Sequence, residues 1–174
     1  MPLPEPIERL LAISGVAISV GDLRLPDCPL VMANAAFLKI TGYTLDDVLN
    51  RNCRFLQPAE GAGPVRERMR AFVDGAGRAD EQFVVPNQRK NGEAFLNLVY
   101  MSRLKREGQD ALILASQFDL TCATDVSART YAEALSRDVR GLRDVLEPSR
   151  WEVATSFPIL ANTNSLIART RLDE

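Results

Sequence analysis

Three runs, residues 81–88, 94–104 and 111–120, constrain what this chain can fold into more than any other feature. Each has strand length, and Asn91-Gly92 is a strong turn signal between the first two. Strand alternation puts Asn97, Val99 and Met101 on one face, and likewise Ile113, Ala115 and Gln117. Two further strands precede them. Val16 to Val20 reads as one and Leu30-Val31-Met32 as its neighbour, with Pro26 and Pro29 bracketing the turn between them. Residues 34–49 carry Phe37, Leu38, Ile40, Val48 and Leu49 among polar residues and break at Gly42. That pattern predicts two short helices, the second capped by Thr44 ahead of Asp46 and Asp47. Pro64 suits a first helical position and Gly75 a stop, and Val65, Met69, Phe72 and Val73 give that helix one apolar face. The chain reads as α+β, a five-stranded antiparallel sheet with helices over one face.

Asn52-Cys53-Arg54-Phe55-Leu56-Gln57 carries the chemistry. In a helix Cys53, Leu56 and Gln57 share one face, with Arg54 about a quarter-turn away. The face offers a nucleophile, an apolar contact and an amide that donates or accepts, and its edge offers a cation. Such a set suits a ligand with a flat reactive ring at one end and an anion at the other. A free Cys is more often a buried structural residue; here its neighbours argue for a site.

The hexamer resembles the signature of LOV domains, the flavin-binding blue-light sensors of the PAS superfamily. Asp22-Leu23-Arg24-Leu25-Pro26-Asp27 is similar to the family's early strand exit, and Phe37 to Tyr43 to its first inner helix. The resemblance spans about residues 15–121 and implies a PAS fold. It also implies noncovalent FMN in the dark and, under blue light, a reversible bond from Cys53 sulfur to the flavin carbon C4a. Arg54 and Arg70 would clamp the phosphate. For Arg66, four residues before Arg70, a solvated edge is the expectation. Asn52, Gln57, Asn87, Asn97 and Gln117 would meet the polar groups of the flavin. Leu56, Met69, Val73, Val99, Met101, Ile113 and Ala115 would wall the ring. Gln117 would face N5 and signal by turning its amide over. If Asn87 and Asn97 meet one ring they share a face, so the hairpin loop between them holds an odd number of residues. Cys28 stands near the ring where many members have Asn, Val99 and Ile113 where Phe is common, and Ala115 where Gly is common; these positions bear on the adduct lifetime.

The flanks divide the chain into 1–14, an amphipathic cap helix through Ile7, Leu10 and Leu11, the core 15–121, and an extension 122–174. In the extension Tyr131, Leu135, Val139, Leu142 and Leu146 form a near-heptad seam. Pro148 would end that helix and Ser149 cap a second one through Trp151, Phe157, Ile159, Leu160, Leu166 and Ile167, kinked at Pro158. The seam either folds back on its own domain or pairs two copies; a homodimer is the sharper expectation, with an unidentified downstream protein as partner. From Asp125 onward seven arginines face eight acids, which argues against nucleic acid. No apolar run suits a membrane, no leader is apparent, and the three cysteines lack metal or disulfide spacing, so a reduced cytoplasm is expected. The chain has no histidine, which excludes Ser-His-Asp and Cys-His catalysis. No enzyme is expected. The resemblance is to bacterial short LOV photoreceptors without a fused effector, the alternative being a PAS module that dimerises, or senses redox through a flavin, without photochemistry.

Overall fold

The computed structural model describes residues 3–146 and 150–153. Helix α1 (Glu5–Ala12) leads into strands β1 (Ala17–Asp22) and β2 (Leu30–Ala33). Helices α2 (Ala35–Thr41) and α3 (Leu45–Val48), a 3-10 turn (Cys53–Leu56) and helix α4 (Val65–Val73) follow. Strands β3 (Asp80–Gln88), β4 (Ala94–Arg106) and β5 (Gln109–Asp119) form the meander, and α5 (Asp125–Leu146) and β6 (Trp151–Val153) close the described chain. All pairings are antiparallel, in the order β2-β1-β5-β4-β3.

The local rules act as expected in the inner helices. Asn34 caps α2, its Oδ1 accepting from Phe37 N at 3.0 Å. The same amide donates to Leu11 O and Val16 O and accepts from Ile18 N, so one buried side chain ties α1, β1 and α2 together. Gly42 ends α2 at φ 75°, where a side chain would be strained. Thr44 N and Oγ1 both donate to Asp47 Oδ2, which Lys90 also reaches at 2.6 Å. The hairpin pairs Gln88 with Ala94, leaving the five residues 89–93 as its loop, an odd number. Arg89 N donates to Glu93 O at 2.8 Å across it.

The sheet divides two cores. On its inner face Phe72 of α4 packs with Phe83, Val99 and Ile113, while Phe37 of α2, Val48 of α3 and Leu56 of the turn pack with Ala17 and Leu30. On its outer face lie Ile18, Val20, Leu98, Tyr100, Leu104, Leu112 and Leu114. Helix α5 covers that face with Tyr131, Leu135, Val139, Leu142 and Leu146, and α1 adds Ile7 and Leu11.

Two expectations are corrected here. The seam from Tyr131 to Leu146 is buried in its own chain, so it is not a free surface for pairing copies. The sheet's outer face is apolar and must be covered, and the helix that follows the last strand is the nearest element able to do so. Trp151 does not open a second helix; Trp151–Val153 is a sixth strand on β4. Strand β4 outruns β3, which pairs only as far as Ser102, and β6 takes the open edge from Leu104 to Arg106. Trp151 then joins the outer core. The positions Pro148, Ser149, Phe157, Pro158, Ile159, Leu160, Leu166 and Ile167 lie outside the described residues.

Candidate functional site

Between the inner face of the sheet and α4 lies a cavity of about 600 Å³. That is within the size range of cofactor sites. Its residues come from all five strands of the main sheet, the β1–β2 connection, the 3-10 turn and α4, and the strands deliver theirs by alternation. Val99 and Met101 on β4 and Ile113 and Ala115 on β5 form an apolar floor, and Leu56, Met69 and Val73 stand against it. Asn87, Asn97 and Gln117 supply amides to the same wall. Asn52, Cys53, Arg54, Gln57 and Arg70 complete the set named from the sequence, all of it lining one cavity.

The hexamer is not an α-helix. Cys53–Leu56 is a 3-10 turn and Gln57 leaves it at ψ 144°. Pro58 explains this, because the residue before a proline is pushed out of the helical region. In a 3-10 turn residues i and i+3 eclipse, so Cys53 and Leu56 still share a face. Asn52 caps the turn, its Oδ1 accepting from Arg54 N at 2.9 Å while its Nδ2 donates to Asp27 O.

The amides carry unmet capacity. Asn97 Nδ2 donates to Asn87 Oδ1 at 2.8 Å, and Asn87 Nδ2 donates to Pro86 O at 2.8 Å. Asn97 Oδ1 is buried with no partner among the described residues. Gln117 Nε2 donates to Ser19 Oγ at 3.2 Å, and Gln117 Oε1 is likewise buried and unmatched. Native interiors pair such groups, and two half-satisfied amides on one cavity wall call for a ligand with polar groups of its own there.

Burial pushes the Cys53 thiol up to about 12, with a further contribution from Cys28. Burial also lifts Cys28 to about 11, aided by Asp22 and Asp27 and opposed by Arg54. Both sulfurs therefore stand as neutral thiols at neutral pH and are poor nucleophiles without help. A Cβ added at Gly21 would lie 2.9 Å from Cys28 Sγ, so any other residue there would crowd this corner of the cavity.

The mouth is cationic. Arg54 forks onto Asp27 at 2.6 and 2.5 Å, with both side chains more than half exposed. Arg70 is exposed and stands 4.0 Å from Asp74. Arg66, expected on a solvated edge, is exposed and also lines the mouth. Sequence reasoning missed Ser19, Gly21, Leu23, Leu25, Asp27, Leu30, Asp74 and Val85 as lining residues. The alternation of β1 carried a signal for the first two. Among the described residues no cluster of His, Cys, Asp or Glu could hold a metal, and no helix is long and apolar enough to cross a membrane.

Residues 16–121 match the PAS domain family. A blue-light-activated histidine kinase of Rhizobium johnstonii is 44% identical over 106 residues, which are 59% of this chain and 29% of that protein. The chain thus spans under a third of that relative's length. The Rhodobacter sphaeroides LOV protein superposes with a TM-score of 0.75 at 29% identity, covering 95% of this chain and 90% of that one. The d2 variant of RsLOV gives 0.76 at 32% identity, covering 95% and 90%. The last two alignments reach past the core into the helical extension.

Proposed function

The chain belongs to the PAS domain family and, within it, to the LOV proteins, and from that premise we propose that it is a blue-light photoreceptor that binds FMN and bonds it reversibly through Cys53. The observation that carries the reading is the unmatched buried carbonyl of Asn97, which suits an imide N–H, beside the half-satisfied amide of Gln117, on the wall that also bears a neutral thiol. A flavin ring fits that wall. It is flat and apolar through the middle, with an imide N–H and two carbonyls along one edge and a nitrogen that gains a proton when the ring is reduced.

The residues would divide the work as follows. Asn87 and Asn97 bind the imide edge, the Asn97 carbonyl accepting its N–H. Leu56, Val99, Met101, Ile113 and Ala115 hold the ring between them. Arg54 and Arg70, with Arg66 beside them, hold the phosphate at the mouth by charge-assisted bonds; Arg54 gives up or shares Asp27 to do so. Cys53 waits as a thiol because burial disfavours its anion. The bound flavin supplies the light-driven electronic step. With flavin bound, Cys53 would supply both the sulfur that bonds C4a and the proton that N5 takes up, its S–H bond and the C4a–N5 double bond being spent, and thermal return would restore both. Gln117 would then face an N–H where it had faced an acceptor, and its amide would turn over.

Output would leave through β5, because Ser116, next to Gln117, faces α5. An absorption spectrum of the purified protein before and after blue light tests the reading. Bleaching of the flavin band with recovery in the dark supports it; a flavin spectrum indifferent to light removes it and leaves a binding module.

A further inference from the structure

We infer that Ser19 is a positioning residue for Gln117, its hydroxyl satisfying whichever end of the amide faces away from the cavity ligand; this rests on the photoreceptor reading above. Ser19 and Gln117 are both buried, at 1% and 3% exposure, and Nε2 of Gln117 donates to Ser19 Oγ at 3.2 Å. Strand register explains the meeting. β1 pairs β5 with Ala17 opposite Gln117 and Ser19 opposite Ala115, so Ser19 and Gln117 are diagonal neighbours on the inner face. The residues directly opposite Gln117 on its two neighbouring strands, Ala17 and Val99, have no polar side-chain atom. Ser19 is the side chain that the structure gives this amide as a hydrogen-bond partner.

The chemistry of the pair follows from what each group can do. An amide that turns over exchanges a donor for an acceptor at both of its ends. A neighbour that could only accept, or only donate, would be satisfied in one orientation and not in the other. A hydroxyl does both. With Nε2 on Ser19 the carbonyl is left to meet an N–H in the cavity. With the amide reversed, Nε2 donates into the cavity and Ser19 donates to Oε1. Either assignment of the two ends leaves the same hydroxyl in reach. No buried amide atom is orphaned in either state, so neither state carries the cost of an unmatched buried polar group. A hydrocarbon side chain at position 19 would orphan one end in each state.

Thr and Val have nearly the same shape and differ by this hydroxyl, so Ser19→Thr and Ser19→Val form the test, with Ser19→Ala as a smaller hydrocarbon variant should Val fail to load flavin. The measurement is the light-minus-dark infrared spectrum of protein carrying carbonyl-labelled glutamine, the Gln117 band being the one lost in Gln117→Leu. In the unaltered chain and in Ser19→Thr the Gln117 carbonyl is hydrogen-bonded in both states, so its band moves little on illumination. In Ser19→Val the dark carbonyl has lost its donor. Its band then lies at higher wavenumber in the dark and drops further on illumination, and dark recovery departs several-fold from that of the Thr variant. Identical dark bands and recovery in the Thr, Val and Ala variants, with bleaching intact, overturn this inference alone. Absence of bleaching in the unaltered chain overturns the photoreceptor reading and this inference with it.

Discussion

Ser116 Oγ lies 2.8 Å from Tyr131 Oη, so the strand that carries Gln117 into the cavity is hydrogen-bonded on its other face to the helix that follows it. The bond is buried between β5 and α5, and burial holds the Tyr131 phenol well above its usual range. Phe118 packs against the same ring, with centroids 4.7 Å apart. A shift of β5 at Gln117 therefore reaches α5 through direct contact.

Tyr131→Phe removes one partner and leaves the Ser116 hydroxyl buried, with an expected loss of about 1–3 kcal/mol in urea unfolding. Ser116→Ala/Tyr131→Phe should cost less than the sum of the two single changes, because each already breaks the same bond. Strict additivity would show that the two groups are not coupled. Hydrogen exchange of α5 amides in light and dark should differ less in the Phe variant than in the unaltered chain.

Cys53→Ala should retain flavin and lose bleaching entirely, since the cavity keeps its floor and amides while the nucleophile is gone. Cys28 lines the same cavity, so Cys28→Ala/Cys53→Ala is the control for any residual adduct. Reversible bleaching at full yield in the double variant would remove the thiol from the photochemistry.

The raised thiols have a pH consequence whose sign is fixed. Cys53 and Cys28 start from an ordinary value of 9.0 and sit at about 12 and about 11 in the folded chain. Their contribution to stability is fully present below pH 9 and is lost as pH climbs through 11 and 12, where the unfolded chain ionises more readily. Bleaching yield should be flat from neutral pH to about pH 9. Iodoacetamide at pH 7.5 should modify exposed Cys122 well before either half-buried cavity thiol, read by peptide mass; equal labelling of all three would contradict the neutral, shielded thiols.

Arg70→Ala should weaken FMN binding by about 1.5–3 kcal/mol, the range for a hydrogen bond to a charged group, or roughly 10- to 150-fold. Arg54→Ala should cost less, because Asp27 already occupies that fork and must be released on binding. Riboflavin titration tells phosphate contacts from ring contacts: the Arg70→Ala penalty should vanish for a ligand without phosphate. Full occupancy by FMN in Arg54→Ala/Arg70→Ala would leave the clamp without support, and Arg66→Ala then becomes the next substitution.

The parts of the fold that are local were legible in the sequence. Gly42, Thr44 and Pro64 mark helix ends because each acts on its own backbone, and an odd loop between Asn87 and Asn97 follows from strand parity. The hexamer exposed its chemistry but not its geometry; Pro58, which straightens Gln57, was in view and outweighed helical spacing. The seam on α5 was legible as an apolar face, yet a face at that period fits a sheet of the same chain as well as a second helix, and nothing in the spacing names the partner. Ser19 was hidden for a related reason. Its importance comes from register with β5, a pairing between residues 98 apart in the chain, and a single serine in an apolar strand says nothing of what lies diagonally across from it.

The burial of α5 changes how two copies of this chain could ever share that helix. Each seam side chain already rests on its own sheet, so an intact molecule has nothing there to offer a neighbour. Sharing would require two molecules to release their helices and trade them, each sheet receiving the other's. Such an exchange forms no new kind of contact, so its equilibrium would depend on concentration and on the connection at residues 120–124, while its rate would be set by how often α5 lifts from the sheet rather than by how often molecules meet.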